Sequence, residues 1–164
     1  MDEYRINGLT IKENLLQLAE NGNKKFTESL HPGIENVLGI RIPALRRLGA
    51  QIAKDDWESY LQTADTYYME ERMLQGMVIS NLKMKDTQAY LSLVARFIAI
   101  INSWMCSKPL AYVLLDAGSD VAFLCSLVKL LAGDVLGQKE WVSQILFVSL
   151  QRHPSFLLVF FSQH

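Results

Sequence analysis

Arg41, Arg46 and Arg47 stand within seven positions of one another in GIRIPALRRLG, residues 39–49, and Lys54 follows shortly after, in a chain whose formal net charge is -1. Guanidinium groups are planar forks that meet phosphate oxygens two at a time, so these residues could bind a phosphate group. Taken alone, the same residues read first as a solvated helix face. Other chemistry is sparse. No glycine run matches a GxGxxG or Walker pattern, so a phosphate-cradling loop for a nucleotide is not expected. His31 and His153 each precede a proline and His164 is terminal, which is not metal-ligand spacing. The two cysteines, Cys106 and Cys125, suggest neither a disulfide framework nor a metal site. No nucleophile elbow supports a serine hydrolase. No cofactor and no metal are implied.

Length and composition set the frame for these residues. The 164 residues, half of them hydrophobic, are enough for one domain with a buried core. A pI near 6.3 excludes a basic nucleic-acid tail but permits a local basic face. The polar opening MDEYRINGLTIKEN is not a signal peptide, and a cytoplasmic protein with reduced thiols is the expectation. Residues 109–133 are apolar, but Asp116, Asp120 and Lys129 interrupt them and Gly118-Ser119 breaks the run, so no membrane span is expected.

The elements that must position the arginines are helices. LTIKENLLQLAEN reads as a helix ending near Asn21-Gly22. In PALRRLGAQIAKDDW, Leu45, Leu48 and Ile52 share one face, Pro43 suits the first turn, and Arg47 and Lys54 point nearly opposite, with Arg46 on the flank. YYMEERMLQGMVISNLK sets Met73, Leu74, Met77, Val78 and Leu82 on one side. DTQAYLSLVARFIAIIN has Asp86 or Thr87 as its cap and Leu91, Val94, Ile98 and Ile101 inside. Trp57, Tyr67, Tyr68 and Met69 read as core or near-core, and Glu70-Glu71-Arg72 as a solvated run with local ion pairs. Sustained period-2 alternation is absent. The expected fold is therefore all-α, and short connections between amphipathic helices favour a superhelix of HEAT-like antiparallel pairs. Composition shifts at about residue 105. Of 16 basic and 17 acidic residues, the last 60 positions hold eight, leaving little polar face for surface helices there.

Three blocks in order carry a family resemblance: VLGIRIPALRRLGAQIAKDDWESYL, ADTYYMEERMLQGMVISNLK and FIAIINSWMCS. Together, over roughly residues 22–106, they resemble the AlkD-like DNA alkylation repair family. The resemblance implies a HEAT-like superhelix, spanning 1–164 as a single domain, whose concave face tracks double-stranded DNA as a monomer. Its members excise cationic N3- or N7-alkylated purines. Such a base already carries positive charge and leaves readily. A carboxylate stabilises the oxocarbenium-like sugar and positions water, and tryptophans contact the deoxyribose.

Carried over position by position, the resemblance implies an active-site role for Trp104, a cleft-lining position for Phe26 and phosphate contacts for Arg41, Arg46, Arg47 and Lys54. The family's catalytic aspartate, four positions after the tryptophan, corresponds to Lys108, or to Ser107 if one residue is deleted; neither is a carboxylate. In QKEWVSQILF, Trp141 is either a core residue or a family tryptophan whose partner arginine has become Gln144. Family chains continue through further helices, so residues 107–164 are expected to be a divergent or truncated part. A frame disruption near codon 105 or true divergence would give this pattern. Three functions follow: a DNA glycosylase-like repair protein with impaired catalysis, a non-catalytic DNA-binding HEAT domain, or a helical protein-interaction module using the apolar C-terminal half.

Overall fold

The computed structural model describes residues 3–30 and 32–100. They form a short hairpin and six helices in chain order: β1 (Arg5–Ile6), β2 (Leu9–Thr10), α1 (Ile11–Glu20), α2 (Lys24–Leu30), α3 (Ile42–Ile52), α4 (Trp57–Thr63), α5 (Met69–Asn81) and α6 (Thr87–Ile100). The fold is all-α, as the helical spacing predicts. The hairpin is an addition to that expectation. With two residues per strand it is too short to show alternation, but its Asn7-Gly8 turn has both φ angles positive, at 56° and 78°, as a tight antiparallel turn requires.

Local signals set the helix ends. Thr10 and Glu13 form a reciprocal capping box at the start of α1. The Asn14 side-chain amide donates to the carbonyls of Ile6, Leu9 and Thr10, which ties the hairpin to α1. Pro43 lies in the first turn of α3, where its missing N–H leaves no bond unmade. Asp56 caps α4 by accepting from the Ser59 N–H. Asp86 caps α6 by accepting from the N–H groups of Gln88 and Ala89.

Residues up to Lys83 form one compact unit, and Met84–Ala99 belong to a second. In the first, Leu15, Leu45, Ile52, Tyr60, Met69, Met73 and Leu74 are fully buried. Helix α3 turns Leu45, Leu48, Gly49 and Ile52 inward and packs against α5, with Gly49 allowing the close approach of Met77. In the second unit Val94, Phe97 and Ile98 of α6 are buried. The expected inward positions Val94 and Ile98 are thus found inside. The Leu91 side chain and Ile101 lie outside the described residues.

Helix α5 departs from expectation. It is not amphipathic: every residue from Met69 to Ile79 is buried. Glu70-Glu71-Arg72 is therefore not a solvated run, and no salt bridge joins these three residues among the described ones. Buried polar groups need partners, and here backbone supplies them. Glu70 accepts from three loop N–H groups and Glu71 from the N–H of Tyr68. Arg72 donates to the Thr66 carbonyl, and Gln75 to that of Asp65 at 2.9 Å. Composition marks such residues as exposed because it does not register loops that wrap a helix. Tyr67 also differs: it is exposed, its ring edge-on to that of half-buried Tyr68. Trp57 is half-buried at the first position of α4.

Candidate nucleic-acid interface

Arg41 is the N-cap residue of α3. Its backbone is extended, its side chain makes no capping hydrogen bond, and it is exposed. It lies at a groove of about 340 Å³ whose lining includes Phe26 and Leu30 from α2, Gly39 and Ile40 from the loop, Pro43 from α3, and Met69, Glu70 and Met73 from α5. Phe26 and Leu30 are i,i+4 neighbours, one turn apart on α2. They are 59% and 53% exposed, unusual for large apolar side chains on a small helix. The groove thus combines an exposed aromatic ring and aliphatic surface with one guanidinium. That combination suits a ligand with both a flat or apolar part and a phosphate.

Two of the sequence-predicted site residues, Phe26 and Arg41, therefore meet at one groove. Arg46, Arg47 and Lys54 are exposed elsewhere on α3 and its C-terminal turn and do not line it. Arg47 lies on the exposed side of α3, away from the buried Leu45 and Ile52, and Lys54 lies in the turn just after the helix. Arg46 is on the flank. Trp104, Ser107, Lys108 and Trp141 lie outside the described residues, as does His31. Among the described residues no cluster of three or more His, Cys, Asp or Glu side chains could hold a metal. No described helix is long and apolar enough to cross a membrane.

The floor of the groove contains a residue that sequence reasoning missed. The Glu70 carboxylate is 1% exposed. One of its oxygens accepts from the Gly39 N–H at 2.7 Å and the Ile40 N–H at 3.4 Å, and the other from the Leu38 N–H at 3.0 Å. Gly39 has φ +80°, and its left-handed conformation turns three successive N–H groups toward one point, an anion-binding nest filled from within the protein. The nearest sequence clue is the Gly-x-Arg of GIR before a proline-started helix. Nothing in the sequence says that its anion lies some thirty residues later.

Beside it, Glu71 shows how burial changes a carboxyl. Burial raises its pKa above the ordinary carboxylate value, the Tyr68 backbone N–H pulls it down, and nearby Asp65 adds to the rise. Away from the groove, the buried Tyr4 hydroxyl donates to Asp55 at 2.7 Å. Burial and that carboxylate both raise its pKa.

The described part of the chain is helical apart from one short hairpin, and it carries a groove lined by an exposed aromatic side chain and a guanidinium. Comparison with known families is more specific: the DNA alkylation repair enzyme family matches residues 11–118, and the chain belongs to that family. The match takes in the hairpin-linked α1, the groove and α5. No curated protein and no solved structure gave a match.

Proposed function

We propose that this DNA alkylation repair family member binds double-stranded DNA along a HEAT-like helical face and engages duplex carrying cationic N3- or N7-alkylated purines, as a DNA glycosylase of the AlkD-like type does. The observation that carries this reading is the meeting of Phe26 and Arg41 at one groove. Arg41 takes a backbone phosphate, and Phe26 and Leu30 offer apolar surface to sugar or base. Arg46, Arg47 and Lys54 add charge that attracts the duplex whatever its sequence.

In the excision reaction the C1′–N bond of the alkylated purine breaks and its electron pair neutralises the cationic ring. Water adds to C1′ and gives up a proton. Trp104 is the residue expected beside the sugar. Ser107 and Lys108 offer no carboxylate to steady the positive charge on the sugar or to take up that proton, so excision is slow or absent. This same substitution favours a second reading, a domain that binds damaged duplex without cleaving it. Incubation with duplex containing N7-methylguanine, with free base and retained complex both measured, tests the two together. Binding with base release above the spontaneous rate supports the enzyme; binding alone supports the second reading. No binding to any duplex at low salt removes both.

A further inference from the structure

We infer that Glu70 is a positioning residue that couples Phe26 to Arg41 and so sets the width of the groove between them; the purpose assigned to that groove rests on the DNA reading above. The connection runs through hydrogen bonds at every step. The Glu70 carboxylate holds the N–H groups of Leu38, Gly39 and Ile40, the three residues that lead into Arg41. The Gly39 carbonyl in turn accepts from the Asn23 N–H at 2.9 Å. The Asn23 side chain then accepts from the Phe26 N–H at 3.0 Å, and its carbonyl accepts from the Thr27 N–H. One buried carboxylate on α5 therefore fixes both the loop that delivers Arg41 and, through Gly39, the start of the helix that delivers Phe26.

The packing leaves this connection little slack. A Cβ at Gly39 would sit 2.4 Å from the backbone N and Cα of Lys24, and one at Gly22 would sit 2.3 Å from the Gly39 carbonyl oxygen. The loop and the start of α2 thus touch backbone to backbone, with no side chain to absorb a shift. Glu70 is also part of the groove lining, so the group that orders the walls lies at their base. Helix α2 has only seven residues and no buried residue of its own, so its placement depends on this anchoring. A carboxylate is suited to the task because its two oxygens accept three N–H bonds at once. A carboxamide in its place would turn an N–H₂ group toward donors.

The test uses the full chain and Glu70→Gln, checked for a cooperative thermal transition. Hydrogen exchange is read by segment, and binding to an N7-methylguanine duplex is measured alongside. Exchange is expected to quicken about tenfold or more in both 37–41 and 23–30, with α1 unchanged. Arg41→Ala and Glu70→Gln should each weaken duplex binding about tenfold, and the double variant no more than either alone. Faster exchange confined to 37–41, or additive losses, would overturn the coupling. Asn23→Ala, at an exposed position, gives a second test that does not disturb the core: it should quicken exchange in 24–30 while 37–41 stays protected. If it quickens neither segment, the connection to α2 is wrong. If Arg41→Ala leaves binding unchanged while Glu70→Gln quickens both segments, the DNA reading fails and the coupling stands.

Discussion

Glu70 and Glu71 are neighbours, both buried, and physically unlike. Glu70 is saturated by three loop N–H groups. Glu71 is the N3 partner in a capping arrangement with Tyr68, and burial holds its pKa above 4.5, its ordinary value. A carboxyl whose pKa rises on folding gives a stabilising contribution that is complete below its unfolded pKa and lost as pH rises through its folded one. Wild-type stability should therefore fall, through this group, as pH rises from about 4.5 toward neutral. Glu71→Gln keeps an oxygen for the Tyr68 N–H and removes the ionisation. Its melting temperature should gain on the wild type as pH rises over that range. Parallel melting curves across pH would show that Glu71 does not titrate as its surroundings require.

The arginines divide at the same scale. Arg41 lines the groove, whereas Arg46, Arg47 and Lys54 are exposed outside it. Arg46→Ala/Arg47→Ala should lower the slope of log affinity against log salt by about 2, roughly one per lost phosphate contact, and weaken damaged and undamaged duplex alike. An unchanged slope in a binding titration from low to moderate salt would exclude them from the phosphate contacts.

At the scale of elements, the α3–α5 contact holds the first unit together. Gly49 lies at that contact: an added Cβ would lie 3.0 Å from the Met77 Cβ and 3.6 Å from Leu74 Cδ1. Glycine costs a helix interior about 1 kcal/mol relative to alanine, so Gly49→Ala gains that much in propensity. Overpacking costs about 1–3 kcal/mol, and the atom met is a Cβ fixed to the α5 backbone rather than a movable side-chain end. The clash should win, with a net loss of up to about 2 kcal/mol in urea unfolding. A stabilised variant would mean that α3 and α5 can move apart without losing their packing. The hairpin contributes differently. Its bonds to α1 through Asn14 and the Tyr4 bond to Asp55 fasten the chain's start to α1 and to the residues after α3.

For the whole molecule, membership in the DNA alkylation repair enzyme family rests on a match that covers α1 through α6 and extends to residue 118. Duplex binding and base release are the measurements that distinguish an enzyme from a binding domain. Their separation follows from chemistry. Phosphate and sugar contacts need only exposed cations and an apolar surface, whereas bond cleavage also requires the positive charge that develops on the sugar to be stabilised.

The residue order alone determined the helical class, because apolar residues recur at helical spacing through α1, α3 and α6. It also placed Pro43 in the first turn of α3, narrowed the cap of α6 to Asp86 or Thr87, and carried the three family blocks. The Asn7-Gly8 hairpin was not read from the sequence, because two-residue strands leave no alternation around the turn. The enclosure of α5 was decided only in three dimensions. Whether Glu70 lies in water or under three N–H groups depends on where a loop some thirty residues earlier comes to rest, and polarity carries no record of that. The meeting of Phe26 with Arg41 was likewise a tertiary outcome: fifteen positions apart on different helices, they share a groove because Gly39 lets the intervening backbone turn against the start of α2.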